Sequence, residues 1–218
     1  MLTTITIHFT TLSINTTEEL DRMSNLTRSF ILMTATLLTT SAWADWSLDA
    51  ARSQLNFISI KSQNLADVHQ FAQLNGQLTT AGALTIRIPL ASLTTDNAVR
   101  DQRLRDILFE TAQFQDATLT AQLDTAALDA LKVGEMVELT SAATLSLHGV
   151  NQAIKVTVTV AKLNATTLFV ANKKPVILDA AQFNFTAALE QLRELAGLPV
   201  ISRAVPVNFH LTFVQPAP

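Results

Sequence analysis

The 218-residue chain has no cysteine and no tyrosine, only two tryptophans and five glycines. Without cysteine there is no disulfide, no thiol nucleophile, no cysteine-based zinc site and no lipobox acceptor for a lipid anchor. Charge is scarce too: 15% of residues are charged and the net charge is −3. That is too little to suggest a nucleic-acid surface or an acidic partner. No Gly-rich phosphate loop, G-x-S-x-G elbow or paired-carboxylate constellation occurs in the sequence. His8 falls in the expected leader, and His69, His148 and His210 fall on separate segments without ligand spacing. Ser53, Ser92 and Ser202 have no His or Asp partner nearby in sequence. These absences read as a binding protein, with no cofactor and no metal, in preference to an enzyme.

No stretch is long and apolar enough for a membrane-spanning helix. The apolar run from Phe30 to Leu38 is too short, but it comes after Arg28 and before Ala42-Trp43-Ala44. A basic start, a short apolar core and an A-x-A site make a secretory signal peptide. The expectation is therefore a spurious extension over 1–22, a signal peptide over 23–44 cleaved after Ala44, and one exported, periplasmic domain over 45–218.

After Ala44 the chain reads as strand after strand. Leu84, Ile86, Ile88 and Leu90 alternate with Thr85, Arg87 and Pro89, giving one apolar face, and Pro89 ends the strand or puts it at an edge. Val137 to Leu147 and Ile154 to Val160 also alternate, joined by the turn His148-Gly149-Val150-Asn151. Val205, Val207, Phe209, Leu211 and Phe213 close the chain on one face. Asp67 to Leu78, Leu168 to Leu178 and Phe183 to Phe185 read as further strands. Helices are few: Val99 to Leu108, capped by Asp96 or Asn97, a piece over 125–131, and Ala188 to Ala196 before Gly197. On the first of these, Arg100, Asp101, Arg103, Arg105 and Asp106 read as the wet side. This pattern excludes an α/β fold and predicts an all-β antiparallel barrel or sandwich.

The segment Ser92-Leu93-Thr94-Thr95, Asn97, Arg100-Asp101, Leu104-Arg105, Phe109 and Phe114 resembles the YceI-like family of lipid-binding proteins. His148-Gly149-Val150 and Val205-Pro206-Val207 fit the same family, and the likeness runs from Trp46 to Phe213. Arg103 stands where many members have His, and Gln115 where many have Pro. The resemblance implies an extended eight-stranded antiparallel lipocalin-like barrel with a few short helices. It also implies a polyisoprenoid or other long-chain amphiphilic lipid inside the barrel, with transient membrane contact and a homodimer left open.

A barrel of about eight strands can be filled by side chains or can hold one small ligand. The residues expected on a lipid-binding wall are Phe57, Phe71, Ile88, Phe109, Phe114, Leu147, Phe183 and Phe209. A Phe at strand spacing is more often ordinary core than ligand wall. Arg100 and Arg103 are the candidate headgroup contacts, since a guanidinium fork suits a phosphate or carboxylate. The competing reading is a solvated helix face with Asp–Arg pairs. Two other functions stay open: an integral outer-membrane barrel, against which stands the lack of aromatic girdles, and an enzyme acting on an isoprenoid-like substrate, for which no acid/base pair is visible.

Overall fold

The computed structural model describes residues 45–216; the segments expected as a signal peptide (23–44) and an extension before it (1–22) lie outside the described residues. The strands are β1 (Trp46–Leu48), β2 (Gln54–Lys61), β3 (Leu65–Phe71), β4 (Asn75–Leu78), β5 (Ala83–Pro89), β6 (Leu93–Thr94), β7 (Asp116–Gln122), β8 (Met136–Leu147), β9 (Val150–Asn164), β10 (Thr167–Asn172), β11 (Val176–Asp179) and β12 (Ala204–Val214). Helices α1 (Ala98–Arg103), α2 (Ala126–Asp129) and α3 (Thr186–Leu195) are short.

Antiparallel pairing runs β1-β4-β5-β7-β8-β9-β10-β12, and β12 pairs back to β1. Those strands close a ring of eight, which leaves no open edge at that end. Four more strands, β2, β3, β6 and β11, extend the barrel at the other end. The strand β12 belongs to both ends. Its C-terminal half lies between β10 and β1, while Val207–His210 pair with β2 and Ala204–Val207 with β11. Among the described residues β11 has no strand on its second edge, and β3 has only the two residues of β6. This end is therefore flared, and α1 and α3 close what hydrogen bonds do not.

Alternation sorts the residues. Ile86, Ile88, Val156 and Val160 are buried, whereas Thr85, Arg87, Thr144 and Lys155 are exposed. An apolar inside with a polar outside is opposite to the pattern of a membrane-spanning barrel, whose lipid-facing positions must be apolar. The β8–β9 hairpin turns on His148 and Gly149, both at positive φ (52° and 73°). Two such residues give a tight turn whose twist matches the strands, and Leu147 pairs directly with Val150.

Three segments depart from the sequence reading. The expected strand from Asp67 to Leu78 is two strands with different partners: β3 pairs β2, and β4 pairs β5. Between them Leu74 turns into the core, 4% exposed. The strand expected over Leu168 to Leu178 breaks before Pro175, which cannot donate to a ladder. Phe183 to Phe185 form no strand. Asp179 caps a 3-10 turn over Ala180–Phe183 by accepting from the Ala181 N–H. Asn184 then takes a left-handed φ of 63°, and α3 begins.

The first helix is as predicted in place, with a difference in form. Asn97 caps it by accepting from the Arg100 N–H at 3.0 Å. After Arg103 the chain widens into a π-helical turn, Leu104–Leu108, closed by Phe109 N–H to the Leu104 carbonyl. The extra residue in that turn lets Leu108 and Phe109 both face the interior, 8% and 6% exposed. Asp101 is not on the wet side. It is 8% exposed and accepts from both the backbone N–H and the hydroxyl of Thr95, at 2.8 and 2.6 Å. A buried carboxylate with two donors holds the loop before α1.

Candidate functional site

The flared end encloses a cavity of about 620 Å³, within the range that holds a drug-sized ligand. Its wall follows from strand parity, since residues two apart share a face. From β2 come Leu55, Phe57, Ser59 and Lys61, and from β12 Val205, Val207, Phe209 and Leu211. The strands β5, β7, β8 and β9 add Ile88, Ala117, Leu147 and Ile154 among others. Helix α3 contributes Leu189 and Leu192. Aromatic rings run along one side: Phe57 to Phe71 at 5.5 Å, Phe71 to Phe109 at 6.0 Å, and Phe109 edge-on to Phe185 at 5.7 Å.

Polarity changes with height along β2 and β3. Phe57 pairs with His69, Ser59 with Asp67, and Lys61 with Leu65 at the rim. One step up from the aromatic layer, Ser59 Oγ and His69 Nε2 are hydrogen-bonded at 2.8 Å. His69 is 3% exposed and its Nδ1 has no hydrogen-bond partner among the described residues. Burial, reinforced by the positive charge of Arg100, lowers its pKa below the ordinary 6.5, so the ring is neutral at pH 7; Asp67 pulls the other way. Above it Lys61 and Arg100 both pair with Asp67 Oδ2. The hydrogen bond from Lys61 is the main cause holding the Asp67 carboxyl below its ordinary range. Arg100 also donates to the hydroxyl and the carbonyl of Thr95, so its guanidinium is tied to β3 and to the loop before α1. Arg103 lines the cavity without an ion-pair or hydrogen-bond partner among the described residues.

Of the residues expected on the wall, Phe57, Phe71, Ile88, Phe109, Leu147, Phe183 and Phe209 line this cavity, as do Arg100 and Arg103. Phe114 does not. It packs outside, against the His148 ring at 4.4 Å and beside Gly149. It comes after the non-repetitive turn beyond Phe109, where no strand period fixes its direction. Phe185, Ser59, Lys61 and His69 line the cavity too, without standing among the residues expected there. Phe57 alone could have given Ser59 and Lys61, because the same parity carries them to the same face. No residue pattern announced His69.

Among the described residues, no group of three His, Cys, Asp or Glu side chains could hold a metal ion, and no helix is long and apolar enough to cross a membrane. The YceI-like domain model matches residues 46–213. The chain belongs to the YceI-like family. The structure of a polyisoprenoid-binding domain from Saccharophagus degradans is 43% identical to it. That likeness covers 78% of this chain and 98% of the other at a TM-score of 0.77. BcnA of Burkholderia cenocepacia shares the fold at a TM-score of 0.60, with 18% identity over 76% of this chain and 98% of its own. No curated protein matches the chain.

Proposed function

We propose that this protein binds a polyisoprenoid or related long-chain amphiphile in the barrel cavity, tail inward and headgroup at the rim, and carries it as an exported periplasmic protein. The observation that carries this reading is the 620 Å³ apolar cavity whose polar groups are gathered at one end. The likeness to the Saccharophagus polyisoprenoid-binding domain supports the class of ligand. Burial of a hydrocarbon tail contributes about 25 cal/mol per Å² and needs no directional contact. The directional contacts are left to the headgroup. Lys61 and Arg100 are already engaged by Asp67, so among the described residues Arg103 is the cavity-lining cation available to an anionic or strongly polar head.

Loading and release require contact with a lipid surface. Leu65, Val99 and Val200 are 56%, 63% and 39% exposed. Leu65 pairs with Lys61, Val99 lines the cavity, and the Val200 carbonyl accepts from Ser62, so all three surround the mouth. Apolar side chains beside cations suit the interface of an anionic bilayer. Export rests on Arg28, the Phe30–Leu38 core and Ala42-x-Ala44.

Native mass spectrometry of the purified protein, followed by organic extraction, tests the binding. A bound lipid lost on delipidation is the expected result, and absence of extractable lipid with no uptake of added prenyl alcohol overturns it. N-terminal sequencing of the protein from the periplasmic fraction tests export, with Asp45 expected as the first residue.

A further inference from the structure

The barrel holds a second, smaller cavity of about 90 Å³ at its closed end. Five side chains line both spaces: Ile86, Leu119, Val156, Phe209 and Leu211. Along β9, Ile154 faces only the large cavity, Val158 only the small one, and Val156 both. The same order repeats on β5 through Ile86, on β7 through Leu119, and on β12 through Phe209 and Leu211. Ile86 and Leu119 are direct cross-strand partners. Separate strands therefore place one apolar layer at one height across the barrel.

We propose that this layer is a partition that sets the length of hydrocarbon tail the protein accepts. The proposal rests on the lipid-binding reading above. A tail entering from the mouth meets Phe209 and its four neighbours at the floor. At about 30 Å³ per methylene-sized group, the share a water takes in its own liquid, the 620 Å³ above the floor holds about 20 such groups. Each methylene that enters strengthens binding about fourfold. A methylene that stays outside the mouth adds nothing. Affinity should rise with tail length up to about four isoprene units and then stop rising. Phe209 is the removable part of the floor, because its ring is only half-buried and its backbone N–H is held independently by Asn172 Oδ1 at 2.8 Å.

The test uses delipidated protein and prenyl alcohols of increasing length, geraniol, farnesol, geranylgeraniol, geranylfarnesol and solanesol, with affinities from native mass spectrometry. In the wild type, affinity climbs to geranylgeraniol and levels off. In Phe209→Ala the two cavities merge, and geranylfarnesol gains at least about tenfold over geranylgeraniol. Adding Ala143→Leu, at a position that lines only the small cavity, returns the limit to its wild-type length. Leu211→Ala takes the place of Phe209→Ala if that variant does not fold. Wild-type affinity that keeps climbing to solanesol overturns the partition. So does a folded Phe209→Ala or Leu211→Ala protein whose limit has not moved. A wild type that binds none of these alcohols overturns the lipid-binding reading itself.

Discussion

The two ends of the barrel use the same alternating strands and reach opposite outcomes. At the closed end a ring of eight strands brings Leu78, Val160, Leu168 and Phe213 together, all at most 5% exposed, and leaves only about 90 Å³ empty. At the flared end β12 exchanges its neighbours β10 and β1 for β11 and β2, and the interior opens to about 620 Å³. An eight-stranded ring is just narrow enough for side chains to fill. Adding strands at one end, and closing the gap with α1 and α3, widens it beyond what Phe and Leu can fill. The closed end contributes stability and the flared end contributes volume.

The largest effect should come from breaking the filled end. Phe213→Ala removes a ring that is 3% exposed in the closed ring, and should cost about 3–5 kcal/mol, as for a packed Phe. Denaturant unfolding of the variant measures it. A cost near that of a surface substitution would mean that this end is not packed as described.

The matching change at the flared end should cost less. Phe57 is half-buried on the cavity wall, so Phe57→Ala adds space to a site that is already open, and a loss of about 1–2 kcal/mol is expected. The wild type should also be more stable lipid-loaded than stripped, because a ligand that binds only the folded state adds stability. Unfolding of both proteins, loaded and delipidated, checks this. Equal losses for Phe57→Ala and Phe213→Ala would erase the difference between the ends.

The range of the interactions decides how far these ends could be read from the sequence. Alternation fixed the direction of Ile88, Leu147 and Phe209 because a strand period is local. The family likeness carried the closed barrel, and Pro89 marks the end of β5 as expected. The break between β3 and β4 was hidden, since it depends on partners far away in the chain. Phe183-Asn184-Phe185 imitates strand alternation, but the Asp179 cap and the left-handed Asn184 turn it into a helix entry. Phe114 comes after an irregular turn with no period to orient it. Arg100 and Arg103 looked alike in sequence; only the placement of Asp67 and Thr95 from other segments separates them.

A smaller effect should appear with pH, and only at the flared end. Folded His69 resists protonation because it is buried and faces Arg100, while the unfolded chain takes up the proton near pH 6.5. The unfolded state then binds more protons, so stability falls as pH drops below that value and levels off below the folded pKa. Asp67 favours protonation, Lys61 opposes it and Asp101 favours it. The lowered Asp67 carboxyl acts only at lower pH, as its loss begins near the ordinary carboxylate value of 3.8. Unfolding measured from pH 7 to pH 5 should show a shallower decline in His69→Gln than in the wild type. Parallel curves would remove His69 from the account.

The smallest stability effects should come from the rim, where the two arginines divide the roles of anchor and contact. Arg100 bonds Asp67 and Thr95 and so joins β3 to the loop before α1. It is about one-third exposed, 34%, which weakens the ion pair through solvent screening. Its loss also leaves the inward Thr95 carbonyl without that donor, and Thr95 is 3% exposed. Arg100→Ala should therefore cost only about 1 kcal/mol, while retaining bound lipid. Arg103 has no such bonds among the described residues, so Arg103→Ala should leave the melting temperature unchanged. It should weaken retention of geranylgeranyl phosphate relative to geranylgeraniol, since only the phosphate uses the guanidinium. Melting curves, together with native mass spectrometry of the two probes, separate these outcomes. If Arg100→Ala loses the phosphate preference at an unchanged melting temperature, and Arg103→Ala does not, the roles are reversed and the anchor is Arg103.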